Sequence, residues 1–379
     1  MRKFFTPAIA TVTLFALVAS ACSSSTKAAS TSNTSQSGAP TLTDLKKQVA
    51  AMQEPPKLPF TVPLNAAPAK GKSLYFLEGS LLNEEPENGP FQDAANALGW
   101  KLKILQYDST NPQAASGAME EAAAAHADYI VIGGQTDTSV AQGLAATKAA
   151  KIPVIFEDTD APATGLSGDG VAVVVENNQL GLVSMKTLIN VAAVTYNGHA
   201  NMLFMTDSEI PSLQPLTPIL KTYAATACST CTFQVQGLSA AQVATGNVGP
   251  QIVATLQSNP KINYVICLFT AVCAGLAPTL KTAGLAGKVK ISVLAPDQTF
   301  SDELLNGEID TAILFAYGET PWAITDAAAR LSEGMTLDQS LYALLPLTVS
   351  TKSHNPPPAK GYYEGPPGFQ QQFKSLWKV

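Results

Sequence analysis

The side chains that could carry covalent or metal chemistry in this chain are few, and their placement argues against both. The three histidines, His126, His199 and His354, have no metal-ligand spacing. No G-x-S-x-G elbow or phosphate-cradling glycine loop occurs, so no catalytic residue, metal or cofactor is implied. Adjacent Glu84 and Glu85 lie in a loop, where paired carboxylates are ordinarily solvated. Among the five cysteines, Cys228 and Cys231 form a C-x-x-C. A redox pair needs that motif at a helix start, where the helix dipole lowers the thiol pKa. Here CSTC runs into the strand-like TFQVQ, so a structural role is expected. With Cys22 set aside, four cysteines in an oxidising compartment allow three connectivities. The local pairs, Cys228 with Cys231 and Cys267 with Cys273, are the ones expected.

Cys22 is set aside because of what precedes it. Arg2 and Lys3 open a positive region, and the run from Phe4 to Val18 is apolar apart from Thr6, Pro7, Thr11 and Thr13. Ala19, Ser20 and Ala21 then supply small residues at a cleavage site, so the segment reads as an export signal and not a spanning helix. Small residues ending in cysteine resemble the bacterial lipobox, with Ala19 where leucine is usual. That resemblance implies lipidation of Cys22 and anchoring on the extracytoplasmic face of the cell membrane. The stretch from Ser23 to Pro40 has no large apolar residue and cannot offset its chain entropy by burial. A short helix is expected at Thr43 to Met52, and EPPKLPFTVPLNAAP is too rich in proline for a sheet interior. Residues 23–69 therefore read as a flexible tether, with the folded part starting near Lys70.

The remaining elements alternate. SLYFL, LKILQY, YIVIGG and PVIFED are strand-like and start near 73, 101, 129 and 154, with helical stretches between them, one of which runs from Pro90 to Leu98 and stops at Gly99. A second series follows. VAVVVE precedes a helix from Gln179 to about Val194, then come NMLFM, TFQVQ, NYVICLF, VKISVLA and TAILFAY. Helices are expected between them at Leu213 to Ala227, Pro250 to Ser258 and Gly275 to Ala283, with a last one at Pro321 to Ser332. The near-continuous Val, Ile and Leu of the strands suits parallel sheets covered by helices on both faces. The class is thus α/β, two doubly wound Rossmann-like lobes, and open parallel sheets bind ligands at the carboxyl ends of their strands. The net charge of −6 offers no footprint for nucleic acid.

Read in order, ALGWKLKILQYDSTNPQ, ADYIVIGGQTDTSVAQGLAATKAAKIPVIFED, ENNQLG, GLAPTLKTAG, VLAPDQ and NGEIDTAILF resemble the type I periplasmic binding proteins. These are the sugar receptors of ABC importers, including those for ribose and galactose. The ending FQQQFKSLW also looks like that family. The resemblance implies lobes joined by three crossings: 70–176 plus 316–340 for one, and 177–315 plus the tail 341–379 for the other. It also implies a monomer that captures a small solute in the crevice and passes it to a membrane ABC permease. The alternative is a sensory receptor that presents its bound form to a membrane signalling protein.

The same resemblance supplies site residues. Asp158 in FED and Asp297 in LAPDQ match the family's two sugar-binding aspartates, where a carboxylate accepts hydroxyl hydrogen bonds. The plain alternative is a helix cap or turn. The family's arginine after the first aspartate is Thr159 here. Its asparagine after NYVIC falls near Phe269, its last-strand glutamine is Phe315, and its aromatic motif after the first strand is absent. A less polar pocket is expected. Ser80, Asn83, Glu84, Gln135, Thr136 and Asp207 are candidates by location alone, and Tyr317 and Trp322 are pocket wall or core. Gly133 and Gly134 allow close backbone approach or form a plain tight turn. Asn178 reads as a helix cap.

Overall fold

The computed structural model describes residues 39–80, 85–159, 170–176, 179–210 and 213–379. Helix α1 (Leu42–Ala51) comes first. Strands β1 (Ser73–Gly79), β2 (Lys101–Tyr107), β3 (Tyr129–Gly133), β4 (Val154–Glu157) and β5 (Val171–Val175) follow, with α2 (Asn88–Leu98), α3 (Ala114–Ala124) and α4 (Ala141–Ala149) among them. Then come α5 (Gln179–Thr195), β6 (Asn201–Asp207), α6 (Leu216–Ala227), β7 (Thr232–Leu238), α7 (Ala240–Val243), α8 (Gly249–Ser258) and β8 (Tyr264–Cys267). The chain continues through α9 (Leu276–Thr282), β9 (Lys290–Leu294), α10 (Gln298–Asn306) and β10 (Thr311–Leu314). It closes with α11 (Glu319–Ser332), α12 (Gln339–Tyr342), β11 (Thr348–Ser350) and α13 (Phe369–Trp377).

Two sheets result, one ordered β2-β1-β3-β4-β5 and the other β11-β10-β9-β8-β6-β7. All pairings are parallel except β10 with β11. Parallel neighbours need a crossover, usually a helix, and the helices cover both faces. Every residue of β3, β4 and β8 is accordingly buried. The edge strand β2 instead exposes Lys101 and Lys103, charges that blunt edge pairing. Helix α2 buries Phe91, Ala94, Ala95 and Leu98, one face at helical spacing, and ends at Gly99, whose φ of 67° needs no Cβ relief.

The chain passes between the lobes five times: α1 to β1, β5 to α5, β10 to α11, α12 to β11, and β11 to α13. Helices α11 and α12 return to the first lobe. Gln339 grips the β5 backbone there, donating from Nε2 to Val174 O at 2.6 Å and accepting from Val174 N–H at 3.0 Å.

Two terminal segments differ from expectation. Residues 39–69 are not a free tether. Thr41 caps α1 in a reciprocal box with Asp44, and Leu45 packs against Ala193, Ala227 and Cys228 of the second lobe. Val349 N–H donates to Met52 O at 2.8 Å. The segment then crosses to the first lobe, where Phe60 lies 5.1 Å from Tyr342 and 5.3 Å from Phe373. The prolines do exclude regular structure from residues 53–72. Order comes from elsewhere: Gln372, Arg330 and Lys378 donate to the carbonyls of Phe60, Val62 and Asn65.

The tail also divides. β11 joins the second sheet, whereas α13 inserts Phe369, Phe373, Leu376 and Trp377 into the first lobe. There Trp377 stacks on Trp322 with centroids 5.2 Å apart. Four apolar residues on one face of α13 select the lobe that offers the aromatic surface. Trp322 is therefore core.

Both disulfides sit in the second lobe, Cys228 to Cys231 and Cys267 to Cys273. Among the described residues no helix is long and apolar enough to cross a membrane.

Candidate ligand-binding crevice

The carboxyl ends of the parallel strands set the candidate site, and the crossing segments run beside one another at its base. Glu176 N–H donates to Tyr342 O at 2.8 Å, and Glu319 N–H donates to Glu364 O at 2.7 Å. Asp158 follows β4 and Glu176 follows β5, with φ of 44° and 48°. Non-glycine residues seldom hold that left-handed conformation, and such outliers cluster at functional sites. Asp158 N–H donates to Val175 O at 3.0 Å, which puts the two acidic residues on adjacent strand ends.

The electrostatics of this corner are those of crowded acids. Asp158 keeps a face open to solvent while protein surrounds the rest, and this crowding pushes its carboxyl up to about 6. Glu176 is buried, and burial raises it well above its ordinary value. The 2.8 Å hydrogen bond from Thr320 opposes that shift, and the charges of Asp158 and Glu319 add to it. Glu319 is fully buried, neither of its carboxylate oxygens has a partner, and burial pushes it up to about 8.

An aromatic run adjoins the acids. Phe315 meets Tyr317 edge-on at 4.6 Å, and Tyr317 lies 4.8 Å from Tyr362. Phe269 is half-buried between two apolar clusters of the second lobe, in a turn closed by the Cys267–Cys273 disulfide.

The other candidates have local partners. Asp297 caps α10, accepting from Phe300 N–H at 2.9 Å, and Asp207 accepts from Glu209 N–H at 2.7 Å in a turn. Gln135 donates to Tyr107 Oη at 3.2 Å and accepts from Ser139 Oγ at 3.0 Å. Thr136 pairs with Ser139 within its own loop, and Ser80 Oγ accepts from Ser109 N–H at 3.1 Å. Asp158 and Asp297 stand on opposite lobes. Cys22, Asn83, Glu84 and Asn178 lie outside the described residues.

Glu176, Glu319 and Tyr362 were not expected in the site. Glu176 was visible as the residue leaving VAVVV, the same location signal that marked Asp158. Tyr362 had no signal, because it follows no strand and matches no motif in the tail. Two other hollows lie away from these strand ends. One is an open groove on α5 and α6 at Lys186 and Tyr223, and the other lies between α1, α5 and the amino ends of β8 to β10.

No family model and no curated relative matches the chain. Solved structures do. A solute-binding protein of an ABC transporter from Agrobacterium vitis, bound with α-D-tagatopyranose, aligns with a TM-score of 0.63 at 19% identity, over 74% of this chain and 95% of that one. A glucose-galactose binding protein from Geobacillus stearothermophilus gives 0.65 at 16% identity, over 76% and 100%. A 5-methylthioribose transporter solute-binding protein from Thermotoga lettingae gives 0.62 at 15%, over 77% and 89%. With two helix-covered parallel sheets joined by crossing segments, the chain has the fold of the type I periplasmic binding proteins.

Proposed function

We propose that the protein is an extracytoplasmic receptor that captures a small, sugar-like solute between its lobes and delivers it to an ABC importer. The observation that carries this reading is the corner at Asp158 and Glu176. Two acidic residues in left-handed conformation leave adjacent parallel strands beside an aromatic run, at the place where such sheets bind ligands. The bound sugars named for the similar structures support the class of ligand. Asp158 and Asp297 accept solute hydroxyls from opposite lobes, and Phe315, Tyr317 and Phe269 supply apolar faces. Asp297 already spends one carboxylate oxygen on its helix cap. The receptor works as a monomer and performs no turnover. Retention of a small molecule by the purified protein tests the reading.

Cys22 carries the lipid in this proposal, and the residues up to α1 lead from the membrane. Cys22→Ala is expected to move the protein from the membrane fraction to the soluble exported fraction and to abolish lipid labelling. Unchanged membrane association with unchanged labelling would remove the anchor from the account.

A further inference from the structure

Charge is distributed unevenly between the two ends of the sheets. Lys72, Lys101, Lys151, Lys261, Lys288 and Lys290 precede or open strands. None of the loops that leave the parallel strands β1 to β10 contains a lysine, arginine or histidine. Those ends carry Asp158, Glu176, Asp207 and Asp297, with Glu319 opening α11. Low-dielectric walls bearing one sign of charge focus a field into the cleft between them. Exposed Lys360 lies in the tail between Ala359 and Gly361, whose backbones pair with Gln298.

Among the described residues, no cation acts on the acids at the base of the crevice. Glu176 faces Asp158 from β4 and both Thr320 and Glu319 from α11; Glu319 faces Glu176 and Tyr363. Glu319 is fully buried with both carboxylate oxygens unpartnered, and the buried Thr159 Oγ1 beside Asp158 has no partner either. Burying polar groups in this state is unfavourable unless something completes them. Thr159 stands where the resemblance implies an arginine, so this position supplies no positive charge. Among the described residues no three acidic, histidine or cysteine groups converge in a metal-binding arrangement, so an organic cation fits the acids better than a metal ion. Phe315 and Tyr317 add aromatic faces, which attract ammonium groups as well as sugar rings.

Resting on the receptor reading above, we propose that the captured solute is a sugar-like molecule bearing a cationic amino group. The ammonium seats against Asp158, with Glu176 and Glu319 behind it, and the rings at the end of β10 cover the sugar face. Asp158, the acid of this corner that is open to solvent, supplies the counter-charge.

Calorimetric titration of the exported chain with glucosamine, galactosamine and mannosamine tests this, each beside its neutral parent sugar and its N-acetyl derivative. At least one amino sugar is expected to bind about tenfold or more tighter than both counterparts, the advantage of a charge-assisted hydrogen bond. That preference should grow from about pH 5 to about pH 7 as Asp158 ionises while the amine stays charged. Asp158→Asn should remove about tenfold to a hundredfold of amino-sugar affinity and much less for neutral sugars. Equal unfolding midpoints of the solute-free variant and solute-free wild type guard against a folding defect. A neutral or N-acetylated sugar that binds as well as its amine overturns the cationic solute and leaves the receptor standing. If no sugar in the panel binds, the cationic inference falls. The receptor falls with it only if the purified protein also carries no retained small molecule.

Discussion

Glu319→Gln is expected to flatten the pH dependence of stability and to make the protein more stable than wild type in mildly alkaline solution. The folded chain buries this carboxyl completely, with no partner on either oxygen, and holds its proton up to about pH 8. The unfolded chain releases that proton near the ordinary value of 4.5. Between those two values the folded state binds more protons, so stability is full below about 4.5 and declines as pH rises toward about 8. A shift of that size is worth on the order of 4 to 5 kcal/mol, at about 1.4 kcal/mol per unit. Glu176, raised by burial, acts in the same direction, as does Glu303, raised to about 7 by burial and then by Glu308 and Asp297. The wild-type decline should therefore be reduced in the variant, not abolished. Urea unfolding across this pH range reads the difference. Parallel curves for the two proteins would mean that Glu319 ionises normally in the folded state.

The second large effect concerns a buried network in the first lobe, on the same helix as Glu319. Asp326 is fully buried and accepts from Arg330 Nε at 2.7 Å, Tyr342 Oη at 2.8 Å and Trp377 Nε1 at 2.8 Å. Arg330 also donates to Val62 O at 2.8 Å. One carboxylate thus ties α11, α12, α13 and the N-terminal arm into a single network. Asp326→Ala removes the acceptor and leaves a buried guanidinium, a hydroxyl and an indole N–H without it. Breaking a buried pair from one side costs roughly 3 to 5 kcal/mol. Tyr342→Phe, which removes a single donor, should cost about 1 kcal/mol. Chemical unfolding of both variants measures the ratio. Equal small losses would show that the network carries no more than its separate bonds.

These effects also mark the limits of what the amino-acid sequence discloses. Strand runs such as YIVIG and the α2 stripe ending at Gly99 were legible because burial on two faces or one leaves a periodic trace. TAILFAY reads as strand through Tyr317, yet β10 stops at Leu314. Phe315, Ala316 and Tyr317 are apolar for a different reason: they pack in the aromatic run at the strand end. The N-terminal arm was illegible because composition averages over a segment, and two anchors, Phe60 and Leu64, are buried among prolines that truly form no regular structure. Asp326 carries no local signal at all. Its partners come from positions 330, 342 and 377, and only the fold brings them to one carboxylate. In the crevice, the strand-end rule placed Asp158 correctly after β4 but passed over Glu176, whose ENNQLG context reads as the approach to a helix. Asp297 and Asp207 show the reverse. Each follows a strand as read, and each already has a local backbone partner.

Native mass spectrometry of protein purified from cells without unfolding shows whether this fold holds a small solute between its lobes. A retained small molecule that leaves on denaturation is expected, depleted in Asp158→Asn although the solute-free variant unfolds at the same temperature as solute-free wild type. Bare protein in every preparation, together with no thermal stabilisation by any sugar or amino sugar, would contradict it.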